Sequence, residues 1–176
     1  MRLWGDSMKK ISTIKITQTA MVSAVALVLS FIEMSMPDIP FVLPGMKLGL
    51  SNIATMFALS ALSLPSAIVV CLTKALFALL MRGFTAFLMS LCGGVLSVLA
   101  MCFILRIKKF GYVAVGIAGA FFHNLGQILV AFALTDYTVF SYFSVLCLCS
   151  LLTGTVTALC VYLILPKVLK LRLFEN

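Results

Sequence analysis

A lysine stands in the middle of an otherwise apolar stretch of this sequence. Lys74 is preceded by CLT and followed by ALFALL, and no other charge occurs between residues 66 and 81. A charged side chain in a hydrocarbon environment is costly, so such a residue is a candidate for binding or transport. Its ammonium group could bind an anionic group of a ligand. Alternatively, Lys74 extends to the membrane surface or pairs with a carboxylate.

A second polar cluster lies in GAFFHNLGQILVAFAL, which begins at Gly119. His123 is the only histidine of the chain, and Asn124 and Gln127 follow it within one helical turn. The i, i+4 and i, i+3 spacings predict that all three share one side of a helix. Lipid offers no hydrogen-bond partners, so this side should face the protein interior. It could line a ligand site, or it could hold helices together at about 1 kcal/mol per contact.

Further polar candidates lie near the ends of apolar runs. Glu33 could bind a cationic group, or it could pair with Lys47, Lys74 or Arg82. The planar guanidinium of Arg82 suits a carboxylate or phosphate, although anchoring at the membrane interface is the alternative. Lys47 and Asn52 lie in PGMKLGLSN. Lys47 comes just before the second apolar run, and Asn52 lies near its start. We therefore add both to the candidate ligand contacts.

Several kinds of catalytic site are absent from the sequence. It contains no GxxxxGK[ST], no GxGxxG and no acidic DDxxD motif, and its six cysteines lie in apolar stretches without CxxC. Magnesium-dependent prenyl transfer requires clustered carboxylates. The five acids are instead scattered along the chain, as Asp6, Glu33, Asp38, Asp136 and Glu175. We predict a chain that is not itself an enzyme, with no metal site and no cofactor.

The composition indicates an integral membrane protein. Of the 176 residues, 63% are hydrophobic and only 10% are charged, and the mean hydropathy is +1.22. So little charge could not cover a water-soluble surface. Apolar segments long enough to be considered as membrane spans occur at about 17–36, 48–62, 66–81, 85–105, 112–134 and 140–165, the last ended by Pro166. The predicted fold is therefore an all-α bundle of six transmembrane helices over 17–166, flanked by cytoplasmic segments 1–16 and 167–176.

The positive residues predict the orientation of this bundle. Placing both termini in the cytoplasm puts ten of the thirteen Lys and Arg residues inside, and only Lys47 and Arg82 outside, with Lys74 in a span. Such an excess of cytoplasmic positive charge is the usual pattern of membrane proteins. The net charge of +8 is therefore explained by topology in the plasma membrane and not by nucleic-acid binding.

Two motifs carry a resemblance to a known family. The segments PGMKLGLSN (44–52) and GAFFHNLGQ (119–127) resemble the Gx transporter family, also called heptaprenyl diphosphate synthase component I, and the resemblance runs over about 17–166. This family looks like the S components of energy-coupling factor (ECF) transporters. Those are six-helix proteins that capture a vitamin or related small molecule from outside. The resemblance implies partnership with a transmembrane coupling subunit and two ATPases. It also implies that Ala20 and Ala24, an AxxxA pair on the first helix, meet the coupling subunit.

These observations lead to a functional expectation with open alternatives. We expect a substrate-binding subunit of a small-molecule transporter, with an anionic or polar ligand. Its predicted ligand contacts are Lys47, Asn52, Lys74, Arg82, His123, Asn124 and Gln127. The first alternative is a non-catalytic membrane component I of a heptaprenyl diphosphate synthase in isoprenoid and quinone biosynthesis. The second is a purely structural membrane scaffold, which the buried polar residues disfavour.

Overall fold

A computed structural model describes residues 13–36, 49–107, 109–135 and 137–170 of the chain. In this part the protein is entirely helical, as the sequence predicts. The six α-helices are α1 (Thr13–Ser35), α2 (Asn52–Ala61), α3 (Leu64–Arg82), α4 (Phe84–Arg106), α5 (Tyr112–Leu134) and α6 (Phe143–Lys170), with a short 3-10 helix (Tyr137–Tyr142) before α6.

Five of these helices are long and apolar enough to cross a membrane, namely α1 and α3 to α6. The chain is therefore a multi-pass membrane protein. Helix α2 has only 10 residues, a rise of about 15 Å, which is half of a bilayer core of about 30 Å. It is shorter than the predicted segment 48–62 because Gly49 and Leu50 form a turn before it. Gly49 has a φ of 85°, and its carbonyl accepts a hydrogen bond of 2.8 Å from the amide of Asn52.

Tight connections flank α3. The side chain of Ser63 accepts a hydrogen bond from the amide of Ser66 at 3.4 Å, and Pro65 occupies the first turn. Both features favour the start of a helix. At the other end, Gly83 has a φ of 87° and donates to the carbonyl of Leu79 at 3.0 Å. Since only this one residue separates α3 from α4, the two helices are antiparallel neighbours.

The prediction that Pro166 ends the last helix is wrong. Helix α6 continues to Lys170 and contains the proline. Proline cannot donate to the carbonyl four residues earlier, that of Tyr162, so one helical hydrogen bond is lost. The residues after it retain their own amides, and the helix extends one further turn. Helix α1 also begins earlier than predicted, at Thr13.

Glycines bring α5 close to both of its long neighbours. A Cβ atom at Gly126 would lie 2.6 Å from the Cα of Gly93 in α4. On the other side, a Cβ at Gly116 would meet the backbone of Gly154 in α6. Small residues at such crossings let helix backbones pack together, which is typical of membrane proteins. Large apolar side chains cover the outside of the bundle, where they face lipid, including Leu80, Phe103 and Leu152.

Apart from Lys74, the described charges lie near the two ends of the bundle. Exposed lysines and arginines lie where α1 begins and where α4 and α6 end: Lys15, Arg106, Lys109, Lys167 and Lys170. Glu33 and Arg82 lie at the opposite end, close to the ends of α1 and α3. This segregation agrees with the charge pattern from which cytoplasmic termini are predicted.

Candidate functional site

A polar cavity lies at the end of the bundle where α1 and α3 end. Five helices or their preceding turns contribute to its wall, and the space inside that a water molecule could enter is about 40 Å³. This volume is well below the range of typical small-molecule sites, about 300–1,000 Å³, so the walls must move apart before a small organic molecule can enter. The lining residues are Ser30, Glu33, Met34, Ser51, Lys74, Phe77, Ala78, Arg82, Ala86, Met89, Ser90, His123 and Gln127.

Lys74 is held inside this site by α2. Its side chain is only 5% exposed, and its Nζ donates hydrogen bonds to Asn52 Oδ1 at 3.0 Å and to Thr55 Oγ1 at 3.2 Å. The ammonium is therefore fixed beside the cavity, and the alternative that Lys74 extends to the membrane surface is wrong. Asn52 is buried and does not line the cavity. It holds Lys74 in place from behind.

Glu33 forms part of the wall contributed by α1. Its Oε1 accepts hydrogen bonds from the amides of Gly49 and Leu50, the second at 3.2 Å. Because Gly49 and Leu50 immediately precede α2, this carboxylate ties α1 to the start of α2. Glu33 was not among the predicted ligand contacts. Its spacing from Ser30 and Met34, i to i+3 and i+4, is the helical period that could have identified this lining face.

Arg82 lies on the same face of α3 as Lys74. Lys74, Ala78 and Arg82 are spaced i, i+4 and i+8, and all three line the cavity. The rise between the two cations is about 12 Å along the helix axis. Arg82 therefore contributes near the end of α3, while Lys74 contributes at greater depth.

His123 and Gln127 supply the wall from α5. Both are buried, and Gln127 Nε2 lies 2.8 Å from His123 Nε2. Two glycines leave the room that the imidazole occupies. A Cβ at Gly93 would lie 3.0 Å from His123 Nδ1, and a Cβ at Gly49 would lie 3.3 Å from His123 Cδ2.

Asn124 does not join this cavity. Its Nδ2 donates to Ser150 Oγ at 2.9 Å and to the carbonyl of Leu146 at 3.4 Å, both in α6. The prediction that it shares a side with His123 and Gln127 is therefore wrong. Consecutive residues project about 100° apart on a helix, and α5 is packed between α4 and α6. Adjacent positions can thus face different neighbours, and Asn124 joins α5 to α6.

None of the remaining predicted residues is among the described residues that line the cavity. Lys47 is outside the residues that the structure describes. Ala20 and Ala24 are exposed on α1, whereas the buried stripe of that helix runs through Thr19, Val22 and Ala26. No group of three His, Cys, Asp or Glu side chains that could hold a metal occurs in the described segments.

Sequence reasoning also missed most of the wall from α4. Ala86, Met89 and Ser90 line the cavity with i, i+3 and i+4 spacing. None carries a charge, so no chemical signal marks them in an apolar segment. Only their helical period and their contact with the other walls assign them to the site.

Comparison with known proteins supports the fold. A solved structure of the S component of a bacterial ECF transporter matches with a TM-score of 0.68 and 21% sequence identity, covering 89% of this chain and 96% of that one. The predicted S-component-like fold is therefore confirmed. No curated protein matches the sequence. The family model described as heptaprenyl diphosphate synthase component I matches residues 22–164. The chain belongs to the heptaprenyl diphosphate synthase component I family.

Proposed function

We propose that this protein is the substrate-binding subunit of a small-molecule uptake transporter, similar to an ECF S component. The observation that carries the proposal is the buried Lys74, which α2 holds beside a polar cavity at one end of a membrane bundle. Ionisable groups within membrane proteins commonly mark substrate sites. With both termini in the cytoplasm of the cell, this cavity faces outside.

Each part of the site has a role in this proposal. Lys74 binds an anionic group of the ligand, and Asn52 keeps the ammonium in position. Arg82, His123 and Gln127 contribute further polar contacts from two walls. Lys47, which precedes the described turn at Gly49, is an additional proposed contact.

The energy for uptake comes from partner subunits in this proposal. The side chains of Ala20 and Ala24 are small and exposed on α1. A helix of a transmembrane coupling subunit can therefore approach α1 closely at these positions. Two ATPases bound to that subunit hydrolyse ATP, since the sequence has no phosphate-binding loop of its own.

A second candidate function follows from the family description. The chain would then be a membrane component of a heptaprenyl diphosphate synthase. Glu33 is the one carboxylate in the part of the chain that the structure describes. Magnesium-dependent prenyl transfer needs several, so another subunit would carry that chemistry. Lys74 and Arg82 would contact a diphosphate.

A gentle affinity purification from native membranes separates these two functions. The tagged chain is recovered with its bound proteins and small molecules, and both are identified by mass spectrometry. A coupling membrane protein with two ATPases supports the transporter. A soluble prenyltransferase without ATPases supports the synthase component and contradicts the transporter proposal.

A further inference from the structure

Two opposite charges face the same cavity from different helices. Glu33 on α1 and Lys74 on α3 both line it. The two groups nevertheless form no ion pair at 4.0 Å or less between nitrogen and oxygen. Each charge is almost completely buried, with 8% and 5% of the side chain exposed.

Each group also retains capacity for a further partner. An ammonium has three donors, and Lys74 uses two of them on Asn52 and Thr55. A carboxylate has two oxygens, and both amide donors to Glu33, from Gly49 and Leu50, bind Oε1. Within the described ranges, Oε2 has no hydrogen-bond donor. The Lys74 ammonium therefore has one donor left for a ligand, and the Glu33 carboxylate has one acceptor oxygen left.

The arrangement of Glu33 and Lys74 disfavours a ligand that carries charge of only one sign. Burying a charge without a partner is costly, and neutral hydrogen bonds compensate only part of that cost. A simple anion would satisfy Lys74 and leave Glu33 beside a second negative group. A simple cation would do the reverse. Arg82 also lines the cavity, about 12 Å further along the axis of α3 than Lys74, and it has a contact of its own.

We propose that the cavity binds a small zwitterion of the amino-acid class, with its carboxylate on Lys74 and its ammonium on Glu33. This inference rests on the proposed substrate-binding function and specifies its ligand. Phe77, Met34 and Met89 line the same cavity and are an apolar surface for the ligand side chain once the cavity of about 40 Å³ has widened to admit it. The anionic group expected from the sequence is then one half of the recognised ligand.

Matched probes test the inference on the purified full chain in lipid nanodiscs. One set is L-phenylalanine, 3-phenylpropionate and 2-phenylethylamine. The other is L-leucine, 4-methylpentanoate and 3-methylbutylamine. Within each set the second compound lacks the ammonium and the third lacks the carboxylate. Equilibrium binding and thermal stabilisation are measured. We expect at least one amino acid to bind at least tenfold more tightly than both of its truncated partners.

Two substitutions assign the ligand groups to the residues. Glu33→Gln keeps the size of the side chain and an acceptor for the amides of Gly49 and Leu50. We expect it to abolish the preference for the amino acid over the carboxylate-only probe. Lys74→Gln should abolish the preference over the amine-only probe. Lys167→Gln, an exposed lysine at the far end of α6, is the matched control and should leave both preferences intact.

The outcomes separate this inference from the function on which it rests. Carboxylate-only probes that bind as well as the amino acids would overturn the zwitterion while leaving a substrate-binding subunit. A zwitterion preference that survives Glu33→Gln would also overturn it. Absence of binding by every probe, with the coupling protein and ATPases still recovered from membranes, rejects the ligand class alone. The same absence without those partners rejects the transporter function too.

Discussion

Lys74 Nζ and Asn52 Oδ1 are joined by a hydrogen bond of 3.0 Å that links the middle of α3 to the first residue of α2. Asn52 itself does not face the cavity, because it is buried and is not among the residues that line it. The short helix α2 thus positions the charge of the site.

Replacing Lys74 should remove ligand binding without unfolding the protein. In Lys74→Met the chain loses a buried charge but leaves the oxygens of Asn52 and Thr55 without their donor, so the free energy of unfolding should fall by about 1–3 kcal/mol and the protein should still fold. Binding of an anionic or zwitterionic probe should be abolished. Calorimetry for binding and thermal unfolding in nanodiscs measure the two effects separately. Unchanged binding would remove Lys74 from the site.

Changes at Asn52 should act through Lys74. In Asn52→Ala the ammonium loses one hydrogen bond, and bonds to charged groups contribute about 1.5–3 kcal/mol. We expect probe affinity to fall by at least tenfold. Asn52→Asp keeps the shape but places a carboxylate 3.0 Å from Lys74 Nζ, so the ammonium gains an internal counter-ion. It should weaken binding more than Asn52→Ala does. The reverse order would show that Asn52 does not act through the charge of Lys74.

Gly49 should be required both for its positive φ angle and for its lack of a side chain. Its φ of 85° is unfavourable for alanine by about 1–2 kcal/mol, and a Cβ would lie 2.7 Å from Asn52 Nδ2. Gly49→Ala should therefore lower stability and also weaken probe binding. Gly83→Ala is the matched control, since Gly83 has a φ of 87° and no atom within 4 Å of its added Cβ. It should lower stability alone, and equal binding losses in the two variants would contradict the steric role.

The crossing of α4 and α5 should be sensitive to a single methyl group. A Cβ at Gly126 would lie 2.6 Å from Gly93 Cα and 2.7 Å from its amide nitrogen, so Gly126→Ala must separate the helices. We expect a destabilisation of about 1–3 kcal/mol, as for other overpacked interiors. Gly111→Ala, with open space around its added Cβ, should be close to neutral. Thermal unfolding of the two variants in the same lipid makes the comparison.

Replacing the exposed alanines of α1 should reduce the recovery of partner proteins and leave ligand binding unchanged. Ala20→Leu combined with Ala24→Leu would hold a docking helix away from α1, so the coupling protein and ATPases should be lost from the affinity purification. Probe binding by the isolated chain should stay the same, because neither alanine lines the cavity. Leu152→Trp changes an exposed apolar position on α6 and serves as a control for added bulk. Full partner recovery by the double variant would place the interface elsewhere.

The sequence by itself determined the membrane class, the helical fold and several of the polar residues that line the cavity. Its apolar runs predict the helices because a polar backbone in lipid must form its own hydrogen bonds. Lys74, His123 and Gln127 were predictable because polar groups in such runs must face the interior. The limits of helices were less predictable. Pro166 lies within α6 because losing one hydrogen bond near a helix end does not stop it, and the turn at Gly49 shortens α2.

Only the tertiary structure decided which helix each polar residue faces. Helical spacing places Asn124 within reach of both His123 and Gln127, yet it bonds to Ser150 on α6. Nor does spacing reveal that Glu33 and Lys74 line one cavity without pairing, since they are far apart in sequence and lie on different helices. Local periodicity sets the direction of a side chain around its own helix axis. The rotation of that helix against its neighbours, which here depends on glycine crossings, sets what the side chain meets.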